Sequence, residues 1–309
     1  MAATGSSPLI QVEELARLLS GPETGQPVVL DVRYRMGSPS GRQEYEHAHV
    51  PGASYVDMNT ELATISPDGV GGRHPMPTVE SFAAAMRSAG VTMSRPVVAY
   101  DDWLSLPASR VWWMLRQFGF LQVRVLDGGI AAWTAAEMPT ESGPCTSGVG
   151  DFSPSTPGIG RLLDATDATT YAAAHLLLDA RPSDRFRGQN ETVDPVAGHI
   201  PGAVSAPALA NVDSSGRFLS AYELADRFHQ LKAADGTGAG AARTATGART
   251  ATGAATTSGA RTVGTYCGSG VQATHLALAM SVAGISDDAD VYIGSWSDWI
   301  TDPARPVEV

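Results

Sequence analysis

The residue best placed for chemistry is a cysteine at the head of a glycine-rich turn. Cys267 opens the run Cys267-Gly268-Ser269-Gly270-Val271-Gln272, straight after the apolar segment Val263-Gly264-Thr265-Tyr266 and just before a helical run that begins near Ala273. Small residues between a strand and a helix start let the backbone N–H groups curl inward, which makes an anion nest at the positive end of the helix. A thiol there benefits twice. Its pKa, about 8.5 when unperturbed, can fall so that the nucleophilic thiolate predominates at neutral pH. The same amides would cradle a transferred group that carries negative charge. Gly268 and Gly270 allow backbone angles and close approaches that a β-carbon would obstruct. The competing reading is a buried cysteine packing as a small hydrophobe beside a turn. The other cysteine, Cys145, lies in a Pro-, Gly-, Ser- and Thr-rich stretch and is read as incidental. Two cysteines cannot build a disulfide framework or a four-cysteine zinc site. No cluster has metal-ligand spacing, so neither a metal nor a cofactor is expected.

The elements that must carry this loop are written twice. Val28-Val29-Leu30-Asp31-Val32-Arg33 returns as Leu176-Leu177-Leu178-Asp179-Ala180-Arg181, and His49-Val50-Pro51-Gly52-Ala53 returns as His199-Ile200-Pro201-Gly202-Ala203. Val97 to Asp101 matches Val263 to Cys267, and Leu126-Asp127-Gly128-Gly129 with Trp133 matches Tyr292-Ile293-Gly294-Ser295 with Trp299. The offset rises from 150 at the second landmark to 166 at the third, which places an insertion in the second copy. Residues 233–262 fit it. They are nearly all Ala, Gly and Thr and cannot bury enough surface to offset ordering entropy. The expectation is a flexible surface loop, with a recognition arm using Arg243, Arg249 and Arg261 as the alternative. Apolar runs at Val28–Val32, Val97–Tyr100, Val123–Leu126 and Leu176–Asp179 have the length of buried parallel strands. Helices are expected at Val12–Leu19, Val79–Ala89, Ser109–Phe118, Ala221–Lys232 and Ala273–Ala283. The fold class is therefore α/β, with two tandem domains, each a mainly parallel sheet flanked by helices. The division is 1–140, a linker at 141–157, and 158–309. Ligands of such sheets sit beyond the carboxyl ends of the strands, where Cys267 falls. The matching position in the first copy holds Asp101, so that copy keeps the scaffold without the nucleophile.

These residues resemble the tandem-domain rhodanese-like sulfurtransferases, and among them the 3-mercaptopyruvate type. The likeness rests on Leu30-Asp31-Val32-Arg33, His49 to Ala53, Arg110-Val111-Trp112-Trp113-Met114-Leu115-Arg116, Arg185-Phe186-Arg187-Gly188, Gly198 to Ala203 and the Cys267 loop. It covers nearly the whole chain outside the Ala/Gly/Thr segment and the extreme ends. The resemblance implies a double displacement in which Cys267 takes sulfur from a small anionic donor as a persulfide and yields it to a thiol or cyanide-type acceptor. Loop amides from Gly268 through Gly270 and Val271 to Gln272 would hold the persulfide, and Ser269 could assist proton transfer to the leaving enolate. The family's substrate arginine is carried over to Arg187. His74 matches a histidine placed across the domain interface. The family's second arginine, shortly before the Gly-His-Ile-Pro-Gly segment, is missing here, and the acidic residue grouped with the histidine falls on Asn59. Thiosulfate is the alternative donor, and a noncatalytic persulfide carrier the alternative role.

A cysteine phosphatase would need an arginine six residues after its cysteine, where this chain has Ala273 in a shorter loop. A thioredoxin-type oxidoreductase would need a second nearby cysteine. His49 and His199 recur in both copies and are read as scaffold; Trp112, Trp113, Trp133, Trp296 and Trp299 are read as packing. With 21 basic against 32 acidic residues the net charge is −11, which argues against nucleic-acid binding. No apolar run is long enough to span a membrane. Met1–Pro8 lacks the form of a secretory signal, so a cytoplasmic home is expected, with a thiol or thioredoxin-like protein as sulfur acceptor.

Overall fold

The computed structural model describes residues 7–36, 41–64, 69–145, 148–155, 159–238 and 263–309. The first half runs β1 (Leu9–Ile10), α1 (Val12–Leu19), β2 (Val28–Asp31), α2 (Gly41–His47), β3 (Ser54–Tyr55), α3 (Val79–Ser88), β4 (Val97–Tyr100), α4 (Leu106–Gln117), β5 (Val123–Leu126) and α5 (Gly129–Ala135). The second runs α6 (Ala165–Ala174), β6 (Leu176–Asp179), α7 (Ser183–Phe186), β7 (Val204–Ser205), α8 (Ala221–Gly238), β8 (Val263–Tyr266), α9 (Val271–Val282), β9 (Asp290–Val291) and α10 (Ser295–Trp299). Strand order is β1-β5-β4-β2-β3 in one sheet and β7-β6-β8-β9 in the other. All pairings between these strands are parallel, as short runs buried on both faces require. The repeat holds at the level of register: Asp31 lies opposite Tyr100, and Asp179 opposite Tyr266.

The Asp-x-Arg of each copy is a buried ion pair. Arg33 meets Asp31 at 2.7 Å and also donates to the Ala48 carbonyl; Arg181 meets Asp179 at 2.6 Å and donates to the Gly198 carbonyl. Each pair thus ties the end of a central strand to the turn that follows. His49 and His199 play one structural part twice, each with its Nδ1 2.8 Å from a carbonyl, of Tyr45 and Phe186, and its ring stacked on the same residue's.

Two helices start earlier than the sequence suggests. Pro107 is tolerated in the first turn of α4, where its missing N–H is no loss, so that helix begins at Leu106. Gly270 adopts a left-handed φ of 82° and lets α9 begin at Val271. Nearly every residue of α4 and α9 is buried, and the two pack on each other, so a helix apolar on all sides finds cover from the other half of the chain. The expected insertion begins inside α8, which continues to Gly238; residues 239–262 lie outside the described residues. Among the described residues no helix is long and apolar enough to cross a membrane.

Candidate active site

β8 ends at Tyr266 and delivers Cys267, 2% exposed, to the turn that feeds α9. Its Sγ accepts the N–H of Gly270 at 3.1 Å and of Ser269 at 3.4 Å. Its own N–H donates to Ser295 Oγ at 3.0 Å, and that hydroxyl, 3.9 Å from the sulfur, donates to the Tyr292 carbonyl at 2.8 Å. The turn is therefore an anion nest closed around one sulfur atom. Val271 and Gln272 open α9, the first buried and the second half-buried.

A loop of the first half completes the surroundings. Gly71 N–H donates to Asp298 Oδ1 and Arg73 N–H to Ser297 Oγ, both at 3.0 Å, which pins this loop to α10. Gly72 sits so close that a β-carbon there would stand 2.4 Å from the Gly294 carbonyl oxygen. The loop brings His74 Nδ1 within 2.9 Å of Ser269 Oγ, while His74 Nε2 lies 3.3 Å from the Tyr34 hydroxyl. Burial, with help from Arg110 and Arg73, lowers the His74 imidazole to about 3, so at neutral pH the ring is uncharged and offers one acceptor and one donor. Asn59 does not join this chain; its N–H donates to Asp57 Oδ1. Tyr34 takes the place at the far nitrogen.

Two guanidinium groups border the turn. A β-carbon on Gly268 would stand 2.8 Å from Arg73 Nη2 and 3.9 Å from Arg185 Nη1. Both arginines pair with Asp194, whose side chain is buried, and Arg185 also pairs with Glu191 at 2.8 Å. Arg187 is not among these pairings. It follows α7 as an exposed residue whose charge acts on Asp184. Surface cavities of about 280 and 390 Å³ are not lined by Cys267 or its turn, one lying beside Arg42 and Cys145, the other beside Arg95 and Val149.

The rhodanese-like domain model matches the chain twice, over residues 11–136 and 159–302. The chain belongs to the rhodanese-like family. It is 38% identical over 302 residues to a Mycobacterium tuberculosis protein named as the thiosulfate sulfurtransferase SseB, covering 97% of this chain and 96% of that one. It is likewise 38% identical over 306 residues to a Pseudomonas aeruginosa protein named as a 3-mercaptopyruvate sulfurtransferase, covering 98% of each. Among solved structures it is similar to the 3-mercaptopyruvate sulfurtransferase SseA of Escherichia coli, with a TM-score of 0.73 and 27% identity, over 94% of this chain and all of that one. By this kinship the chain is a sulfurtransferase.

As a rhodanese-like pair, the two halves can be compared atom by atom. In the first half Asp101 stands where Cys267 stands in the second, and its carboxylate accepts three N–H groups: Trp103 at 2.7 Å, Ala108 at 2.8 Å and Ser105 at 3.0 Å. Burial nevertheless pushes this carboxyl up to about 7. Sequence reasoning passed over Ser295, Tyr34, Asp194 and the parts played by Arg73, Arg110 and Arg185. Ser295 left one signal. Its counterpart in the first copy is Gly129, and both residues have φ of 56°, so a serine stands in a slot that favours glycine.

Proposed function

We propose that this sulfurtransferase moves a sulfane sulfur from 3-mercaptopyruvate to a thiol acceptor through a persulfide on Cys267. The carrying observation is the position of Sγ among the turn amides, with the neutral His74–Ser269 pair beside it. The thiolate attacks the donor sulfur. The donor's C–S bond breaks, its electron pair passes to the methylene carbon as the enolate, and a proton delivered by way of Ser269 yields pyruvate. The acceptor thiolate then attacks the outer sulfur and regenerates Cys267.

Arg185 and Arg73 are assigned the donor carboxylate, since their guanidinium groups border Gly268 and a planar fork suits a carboxylate. Arg187 is assigned a peripheral part. Gly268, Gly270, Val271 and Gln272 shape the nest. Thiosulfate is the second donor, favoured by those same two cations and by the name of the mycobacterial relative. The acceptor is assigned as a small thiol or a thioredoxin-like protein, and the compartment as the cytoplasm. Donor-treated wild-type protein gains about 32 Da on Cys267, one sulfur atom, and releases pyruvate continuously when a thiol is supplied; Cys267→Ser does neither. Pyruvate release by Cys267→Ser at the wild-type rate would overturn the reading. An adduct without turnover would instead favour a carrier.

A further inference from the structure

Arg110 is fully buried on α4, in the half of the chain that lacks the cysteine. Its Nε and Nη2 donate to the carbonyls of Leu62 and His74, at 3.3 and 2.8 Å, but its Nη1 has no hydrogen-bond partner. That nitrogen points at the reactive turn: a β-carbon on Gly270 would stand 2.9 Å from it. Gly270 is also the residue whose N–H reaches Cys267 Sγ at 3.1 Å. Among the described residues no carboxylate forms an ion pair with Arg110, and a guanidinium removed from water without a counter-charge is strongly disfavoured. Burial lowers Arg110 to about 10, and the group whose charge opposes that fall is Cys267.

The internal symmetry sharpens the point. Arg110 and His275 each stand five residues after the N-cap of their helix, Ser105 and Gly270. Each helix thus sends one side chain toward the turn of the opposite half. His275 stacks on Phe218 and leans on the Leu104 backbone, with neither ring nitrogen in a well-formed hydrogen bond. Burial lowers it to about 3, so it brings no charge at neutral pH. The charged member of the pair faces the cysteine, and the neutral member faces the turn already filled by the Asp101 side chain.

We propose that Arg110 is a positioning residue of the sulfur transfer: reaching across from the cysteine-free half, it supplies the positive charge that faces the anionic sulfur of Cys267 through the Gly270 turn. The proposal rests on the sulfur-transfer reading, because it assigns Arg110 to the thiolate and persulfide of that cycle. The test is the pH profile of Cys267 alkylation by iodoacetamide, in wild type, Arg110→Gln and Arg110→Lys. In Arg110→Gln the pH of half-maximal rate moves up by about one unit and the rate at pH 7 falls about tenfold, whereas Arg110→Lys recovers most of both. A residue that merely braced the Leu62 and His74 carbonyls would lower thermal stability and leave that midpoint in place, which would overturn the proposal. Should Arg110→Gln fail to fold, ¹⁵N NMR of the wild type decides. The Arg110 Nε–H signal then moves with pH at the alkylation midpoint and ceases to do so in Cys267→Ala; a signal indifferent to pH across that range overturns the assignment. Mass detection of the donor adduct is scored separately, so failure of the donor reading and failure of Arg110 are told apart.

Discussion

The turn after β4 and the turn after β8 solve one physical problem in two ways. Each presents inward N–H groups at the head of a buried helix, and each must satisfy them. The first half does so with a built-in carboxyl group, Asp101, whose oxygens accept three of them. The second uses a single sulfur atom that accepts two, with glycine at the N-cap and an outlying pair of guanidinium groups. In the first half the acceptor is a carboxyl group built into the fold; in the second it is a sulfur that belongs to a reaction. The difference shows how a duplicated scaffold divides its labour: one nest is spent on stability, the other is kept open to exchange.

Separating the two roles gives the sharpest test. Asp101→Ala leaves three N–H groups without an acceptor, those of Ser105 and Ala108 buried and that of Trp103 partly so, and at about 1–3 kcal/mol for each buried group the domain should lose roughly 2 kcal/mol or more of stability. Denaturant unfolding measures this, and the folded fraction should still form the Cys267 adduct. Equal loss of adduct and of stability would mean that the two nests are not separate in function. Next in size is the donor cation. Arg185→Ala removes a charge-assisted contact worth about 1.5–3 kcal/mol, so kcat/KM for the donor should fall roughly 10- to 100-fold in steady-state assays.

The histidine comes third. Because burial lowers His74 to about 3, its folded form resists protonation: the stability it contributes is complete above its ordinary value of 6.5 and drains away as pH falls from there toward 3. Wild type should therefore lose melting temperature relative to His74→Gln across that window, and kcat should show no inflection near 6.5. An imidazole titration near 6.5 by NMR would contradict the burial argument. The smallest effect is expected at Arg187. Because Arg187 is exposed, its change to Ala should alter kcat/KM by about twofold or less, as for solvated surface charges. A loss as large as that of Arg185→Ala would return the substrate contact to Arg187.

Much of the fold was legible because its signals are local. Val97–Tyr100, Val123–Leu126 and Leu176–Asp179 are strands at the limits that hydrophobic run length sets, and the Asp-x-Arg repeat marks equivalent strand ends, although the buried ion pairs it forms were not read from the sequence. The reactive turn was legible for the same reason: cysteine, small residues and helix start are neighbours in the chain. What lies around that turn was not. Tyr34, Arg73 and Arg110 reach the site from a region some 160 to 230 residues away, and only packing of α4 on α9 and the docking of the Gly71–His74 loop on α10 bring them there. In the run Arg185-Phe186-Arg187 the two arginines are equivalent as letters. The single turn of α7 decides between them, aiming one at Asp194 and leaving the other in water.

The crowding at Gly72 has an evolutionary corollary. With backbone against backbone across that seam, the cysteine-bearing half cannot inherit its histidine or its bordering guanidinium unless its sister is translated with it. The copy without the nucleophile is therefore not free to drift. A gene fragment encoding only the later half would carry the sulfur chemistry's reagent without its surroundings, and mutations in the supposedly idle copy would register as catalytic defects.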